Sequence, residues 1–138
     1  MNSNTKIRTI SPLVRKQIIQ AQRNEVTEYH IYKRLARKSK NNKNKTILNS
    51  IAEDELRHYK TWMKYTGREV EPSQWNIFKY FWMAQLLGLK FSLKLMEKGE
   101  ERAQINYTEI GKEIPEAIQI SKEENEHETK LISMINKK

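Results

Sequence analysis

The chain contains no cysteine. That absence removes disulfides, CxxC redox chemistry, thiolate zinc sites and a cysteine nucleophile together, so any bound metal must take His and carboxylate ligands. Glycine and proline are scarce, 4 and 3 in 138 residues, which leaves too little turn chemistry for an all-β fold. Asp54 is the one aspartate among 17 acidic residues; the others are Glu, a good helix former where Asp is not. Long apolar runs are missing too. The most apolar stretch, Trp75 to Met96, is interrupted by Lys79, Gln85, Lys90 and Lys94 and does not read as a membrane span. The polar start, Met1 to Thr9, does not read as a signal peptide. The expectation is a single all-α domain over residues 11–138, cytoplasmic, behind a disordered N-terminus of residues 1–10.

Helix signals divide that domain. Ser11-Pro12 pairs an N-cap with proline at the first helical position, and the first helix is expected to run to about Lys38. The polar run Lys38 to Asn44 has nothing to bury and reads as a turn. A second helix follows from about Lys45 to Tyr65, ended by Gly67. Pro72-Ser73 opens the longest region, helix-compatible to about Ile110 unless Gly88 breaks it. Gly111 and Pro115 mark the next turn, before a last helix from about Pro115 to Ile135. If Gly88 breaks the third region, its first part is a crossover joining two helical hairpins. If it does not, a helix of roughly 55 Å, at ~1.5 Å per residue, outruns its neighbours, and a second chain completes the bundle by helix exchange. A homodimer is expected either way.

Heptad seams locate the inward face of each helix. The first carries Ile18, Gln22, Glu25, Tyr29, Tyr32 and Ala36; the second Leu48, Ile51, Glu55, His58, Trp62 and Tyr65. The third carries Leu86, Leu89, Leu93, Met96, Glu100, Ala103 and Tyr107; the fourth Ala117, Ile120, Glu124, His127, Leu131 and Met134. Every apolar seam is interrupted in its middle by Glu. An ionised carboxylate in an apolar interior must shift its pKa, find a partner or bind a metal, and four on one bundle axis demand a cation. Glu55-x-x-His58 and Glu124-x-x-His127 place a carboxylate and an imidazole on one face of each helix, so four Glu and two His can supply two divalent ions.

The levels agree with that reading. The midpoint of Glu25 and Glu55 falls at Lys40 in the polar turn, and that of Glu100 and Glu124 at Lys112 beside Gly111. Glu25 and Glu100 are each followed by a tyrosine seven residues on, Tyr32 and Tyr107, so one hairpin looks like a copy of the other. These tyrosines are expected to hydrogen-bond the ligating carboxylates and fix their orientation. Glu97, one turn before Glu100, can approach the same ion. Glu28, one turn after Glu25, is either a spare ligand or solvent-facing. His30, Glu53, Glu101, Glu123, Glu126 and Glu128 read as surface groups. The aromatic residues Trp75, Phe78, Tyr80, Phe81 and Trp82 read as core or dimer contacts.

Glu on the first helix, Glu-x-x-His on the second, Glu-x-x-Glu on the third and Glu-x-x-His on the fourth resemble the rubrerythrin branch of the ferritin-like di-iron proteins, over about residues 11–136. The segments Ala21-Gln22-Arg23-Asn24-Glu25 and Ala52-Glu53-Asp54-Glu55-Leu56-Arg57-His58 resemble the ferritin-like domains that precede vacuolar-type iron transporter membrane domains. The resemblance implies a ferritin-like four-helix bundle holding two Fe ions, with Glu55 and Glu124 bridging, Glu25 and His58 on one iron, Glu100 and His127 on the other, and Glu97 as an additional third-helix ligand. It implies reaction of the ferrous pair with O₂ or hydrogen peroxide. Rubrerythrins also carry a cysteine-ligated iron as electron relay; this chain has none, so an external electron donor is expected. Ending at Lys138 with no membrane part, it is either free-standing or a fragment.

The donor set also accepts Mn or Zn. A second reading is a non-catalytic iron-binding or sensing module working with an iron transporter. The net charge of +9, from 26 Lys and Arg, admits a third, a metal-free bundle on nucleic acid or anionic lipid. It ranks last, and no nucleic acid partner is expected, because the basic residues are spread over all the helices and no reading motif is visible.

Overall fold

The computed structural model describes residues 10–103 and 105–135 and, within them, every side chain except those of residues 97, 99–103 and 135. Six helices make up the described chain, α1 (Pro12–Lys38), α2 (Asn42–Thr66), α3 (Gln74–Leu87), α4 (Leu89–Ala103), α5 (Tyr107–Gly111) and α6 (Glu116–Ile135), and there is no strand among the described residues. Residues 1–9, expected to be disordered, lie outside the described residues.

The caps sit where the sequence puts them. Ser11 Oγ accepts from Val14 N at 3.3 Å, while its own N–H and hydroxyl donate to Glu113 at 2.8 and 2.9 Å, which fastens the start of α1 to the turn before α6. Gly67 closes α2 in the left-handed region, at φ 70°, which glycine adopts without a Cβ clash. The first turn is shorter than expected. Asn41 accepts from Asn44 N and caps α2, so Asn42, Lys43 and Asn44 form its first turn instead of a loop: asparagine side chains favour caps as readily as loops.

Gly88 does break the third region. Its φ of 101° and ψ of 153° belong to a part of backbone space essentially reserved for glycine. Tyr80 and Ser92 would stand ~18 Å apart in one continuous helix, yet Ser92 Oγ donates to Tyr80 O at 2.6 Å. The chain therefore folds back sharply, and the continuous helix that a helix-exchanged dimer needs is not formed. Nor does the third region reach Ile110 unbroken. α4 ends at Ala103, and Asn106 caps the separate helix α5 by accepting from Glu109 N at 3.1 Å, so Tyr107 does not continue the helix of Glu100.

Two apolar layers organise the interior. Val14, Ile18 and Ala21 of α1 meet Trp62 of α2, Ile110 of α5 and Ala117 and Ile120 of α6 in one. Ile31, Tyr32 and Leu35 of α1 meet Leu48 and Ile51 of α2, Ile77 and Phe81 of α3, Leu93 and Met96 of α4 and Met134 of α6 in the other. Each large side chain so buried contributes about 1.5–3 kcal/mol. The order of residues through the layers makes α1 and α6 parallel, with α2 antiparallel to both. The link after α2 runs back along α1, held by Gln22 Nε2 donating to Arg68 O at 2.8 Å and Ser73 N donating to Thr27 Oγ1 at 2.9 Å. Between the two layers lies a belt of charged residues.

Candidate metal centre

The seam glutamates meet in that belt. Glu25 from α1, Glu55 and His58 from α2 and Glu124 from α6 each offer one ligand atom, and all four atoms lie within 4.8 Å of one another. Glu25, Glu55 and His58 are almost fully buried. His58 Nδ1 stands 3.1 Å from Glu55 Oε1, 3.4 Å from Glu124 Oε2 and 3.6 Å from Glu25 Oε2. His127 Nδ1 lies 3.4 Å from Glu124 Oε1 and 3.8 Å from Glu55 Oε2, without hydrogen-bond geometry to either. It is a buried nitrogen aimed at carboxylates, an arrangement that costs free energy unless a cation or proton sits between. Trp62 covers one side, its Nε1 donating to Glu25 Oε2 at 3.2 Å.

Both imidazoles are held from behind. His58 Nε2 is 2.7 Å from Glu123 Oε1, and His127 Nε2 is 2.8 Å from Asp54 Oδ2. Arg57 links the two supports, donating from Nη2 to Asp54 and to Glu123 at 2.9 Å each. An Nε2–H donated outward leaves Nδ1 with its lone pair turned into the belt, the tautomer a metal ligand requires. The carboxylate behind each histidine comes from the other helix, and in each case it directly precedes that helix's inward glutamate.

The electrostatics are those of a site short of cations. Burial, with repulsion from Glu124 added, pushes the Glu25 carboxyl up to about 8. Burial followed by repulsion from Glu124 and Glu25 drives Glu55 well above the ordinary range, although a hydrogen bond with Glu28 pulls the other way. Burial works against the His58 cation, but Glu124, Glu25 and Glu123 around it outweigh that and hold it up to about 11. Burial likewise opposes the charged form of Glu124, and His127, His58 and Glu25 outweigh it, keeping the carboxylate ionised. His127 is raised, because Glu124 and Asp54 outweigh its burial. Protons on Glu25, Glu55 and the imidazoles thus supply the positive charge that a metal ion would bring. Among the described residues no lysine or arginine pairs with Glu25, Glu55 or Glu124.

The other sequence candidates are placed as follows. Glu97 and Glu100 lie on α4, and their side chains are outside the described residues. Tyr32 is buried in the apolar layer next to the belt. Tyr107 packs on Trp62 with ring centroids 6.4 Å apart. Glu28 is buried, not solvent-facing, because its turn of α1 faces Glu55. Glu123 is not a surface charge: it is half-buried between His58 and Arg57, and against the effect of burial a hydrogen bond from Gln119, then those from His58 and Arg57, hold its carboxyl down to about 2. Sequence reasoning passed over Asp54 as well. The missed signal is a second repeat, an acidic residue just before each Glu-x-x-His, in Asp54-Glu55 and Glu123-Glu124.

A cavity of about 190 Å³ opens on the belt, with Glu124 and His127 at one end and Tyr32, Leu93, Met96 and Leu131 among its walls. A water molecule needs only ~10–15 Å³, so the cavity has room for a small molecule beside Glu124 and His127. No family of known proteins, no curated protein and no solved structure matches the chain.

Proposed function

We propose that the belt is a dinuclear iron site in a bundle of the ferritin-like, rubrerythrin type, and that the protein reacts its ferrous pair with O₂ or hydrogen peroxide. The observation that carries this reading is the convergence of Glu25, Glu55, His58 and Glu124 within 4.8 Å, beside His127 Nδ1, a buried nitrogen with no hydrogen-bond partner. The donor set fits a divalent transition metal, since carboxylate and neutral imidazole together suit Fe, Mn and Zn. Glu55 and Glu124 each lie between the two imidazoles and would bridge. Glu25 with His58 would complete one site, and His127 with Glu100 of α4 the other. A ferrous pair supplies two electrons to the oxidant.

The chain's own groups prepare that chemistry. Asp54 and Glu123 hold the imidazoles in the ligating tautomer. The apolar layers above and below exclude bulk water and strengthen every charge interaction inside. Glu25 and Glu55 take up protons when metal leaves. With no cysteine to hold a relay iron, the electrons that restore the ferrous state come from a separate donor.

The test is metal analysis of protein from iron-supplemented cells beside the double variant Glu55→Ala, Glu124→Ala. About two irons per chain, as in dinuclear bundle sites, lost in the variant, is the expected result. The ferrous protein mixed anaerobically with peroxide then develops ferric absorption. Absence of iron, Mn and Zn from the unaltered protein overturns the metal centre, Mn or Zn in place of iron overturns the iron assignment, and iron that peroxide leaves ferrous overturns the redox reading.

A further inference from the structure

α3 is apolar on both faces. Ile77 and Phe81 point into the bundle, while Trp75, Phe78, Trp82 and Leu86 form a stripe on the opposite side, 65%, 55%, 47% and 77% exposed. Spacings of three and four residues put these four on one outward line. The aromatic rings continue one another, Trp75 on Phe78 at 6.0 Å and Phe78 on Trp82 at 6.4 Å between centroids. Leu87 and Phe91, 61% and 47% exposed, carry the apolar surface around the Gly88 fold-back. An aromatic strip of this kind left in water marks a binding surface.

Charge identifies what it binds. Between Glu71 and Glu97 the sequence has no acidic residue and three lysines, Lys79, Lys90 and Lys94, although the chain as a whole carries 17 acidic groups. Lys79, one turn after Trp75 on α3, lies over the Tyr80 ring at 4.7 Å, and Lys90 is exposed directly after the Gly88 fold-back, whereas Lys94 lines the cavity beside Glu124 and Glu128. We propose that the outer face of α3, with the lysines of the α3–α4 fold-back, docks on the headgroup region of an anionic lipid bilayer. Tryptophan and phenylalanine beside lysine are the residues that settle at that boundary, the rings among the acyl ends and the ammonium groups at the phosphates. A second copy of the chain fits less well. A two-fold contact brings a lysine-bearing strip without carboxylates against itself, between molecules of net charge +9. The segment lies on the surface and does not span it. No described helix is long and apolar enough to cross a membrane, and the 14 residues of α3 reach ~21 Å against a hydrocarbon core of ~30 Å.

The experiment is flotation of the full chain with phosphatidylcholine vesicles, with and without phosphatidylglycerol, beside size-exclusion light scattering. It reads neither metal nor turnover, so its outcome is separate from that of the metal centre. The protein floats with anionic vesicles, its tryptophan emission shifts to the blue, and salt weakens the association. The variant Trp75→Ser, Phe78→Ser, Trp82→Ser loses binding while keeping the helical circular dichroism of the parent, since all three side chains are exposed. The variant Lys79→Glu, Lys90→Glu, with the apolar face intact, partitions more than about tenfold less. If the serine variant does not fold, the lysine variant decides alone, and unchanged partition overturns the proposal. Absence of flotation, equal partition into phosphatidylcholine alone, or a dimer dissolved by the serine substitutions without any vesicle binding each overturns it, the last by assigning the face to a second copy.

Discussion

His58 and His127 stand face to face across the belt, ring centroids 6.0 Å apart and planes 24° from parallel. Each is braced by the acidic residue that precedes the other helix's Glu-x-x-His. The bracing is reciprocal, Asp54 behind His127 and Glu123 behind His58, so α2 and α6 hold each other's histidines.

Asp54→Asn and Glu123→Gln keep the side-chain shape but remove the charge that fixes each imidazole. Each is expected to weaken metal binding by about 10–100-fold, measured by competition with a chromophoric chelator. Glu53→Gln, which removes the same single negative charge at an exposed position paired with Lys33, serves as control and leaves affinity unchanged. Because Arg57 touches both carboxylates, the double variant should depart from the sum of the singles.

Metal removal makes stability depend on pH in a stated direction. Glu25 titrates near 8 in the folded chain against an ordinary 4.5, so its contribution is complete below 4.5 and is lost as pH rises through 8. His58, near 11 against 6.5, has the same sign, present below 6.5 and lost as pH rises through 11. Glu123, near 2 against 4.5, is opposite, present above 4.5 and lost as pH falls through 2. The metal-free protein is therefore expected to melt highest at about pH 5 and lower towards pH 8. The metal-loaded protein, in which ions replace those protons, gains stability over the same rise. Thermal melts of both forms across this range provide the check.

Gly88→Ala tests the fold-back. Open space surrounds the added Cβ, nothing lying within 4 Å, so the whole cost is backbone conformation at φ 101°, about 1–3 kcal/mol. Urea unfolding should show that loss. An unchanged midpoint would mean the helix can continue through residue 88.

Glu100→Ala asks whether α4 closes the second metal position, as the seam pattern and the Glu100 and Glu124 levels imply. Iron content is expected to fall from about two per chain to about one, with Glu25, Glu55, His58 and Glu124 retaining the other. Full occupancy in this variant would remove Glu100 from the ligand set.

Much of this arrangement is legible in the sequence because helical periodicity is local. Pro12, Gly67 and the start after Pro115 mark helix ends through their own backbone chemistry. A glutamate at seam spacing is buried wherever the helix packs, which is why Glu25, Glu55 and Glu124 are found together. Glu123 and Asp54 escaped because each lies one residue off the seam, about 100° around the helix. Such a position faces solvent unless a particular neighbour covers it. Glu28, left open between a spare ligand and a solvent-facing residue, is decided only by the packing that buries it.

By itself, then, the sequence determined the helical class, most helix ends, the exclusion of thiolate chemistry and the set of carboxylates and imidazoles that must share one interior, all consequences of spacing and side-chain type. Tertiary structure alone decided that Gly88 folds the chain back on itself, that Asp54 and Glu123 cross between helices to brace the histidines, and that the aromatic face of α3 points outward. Each of these depends on which helix lies against which, a long-range choice set by packing between segments far apart in the chain.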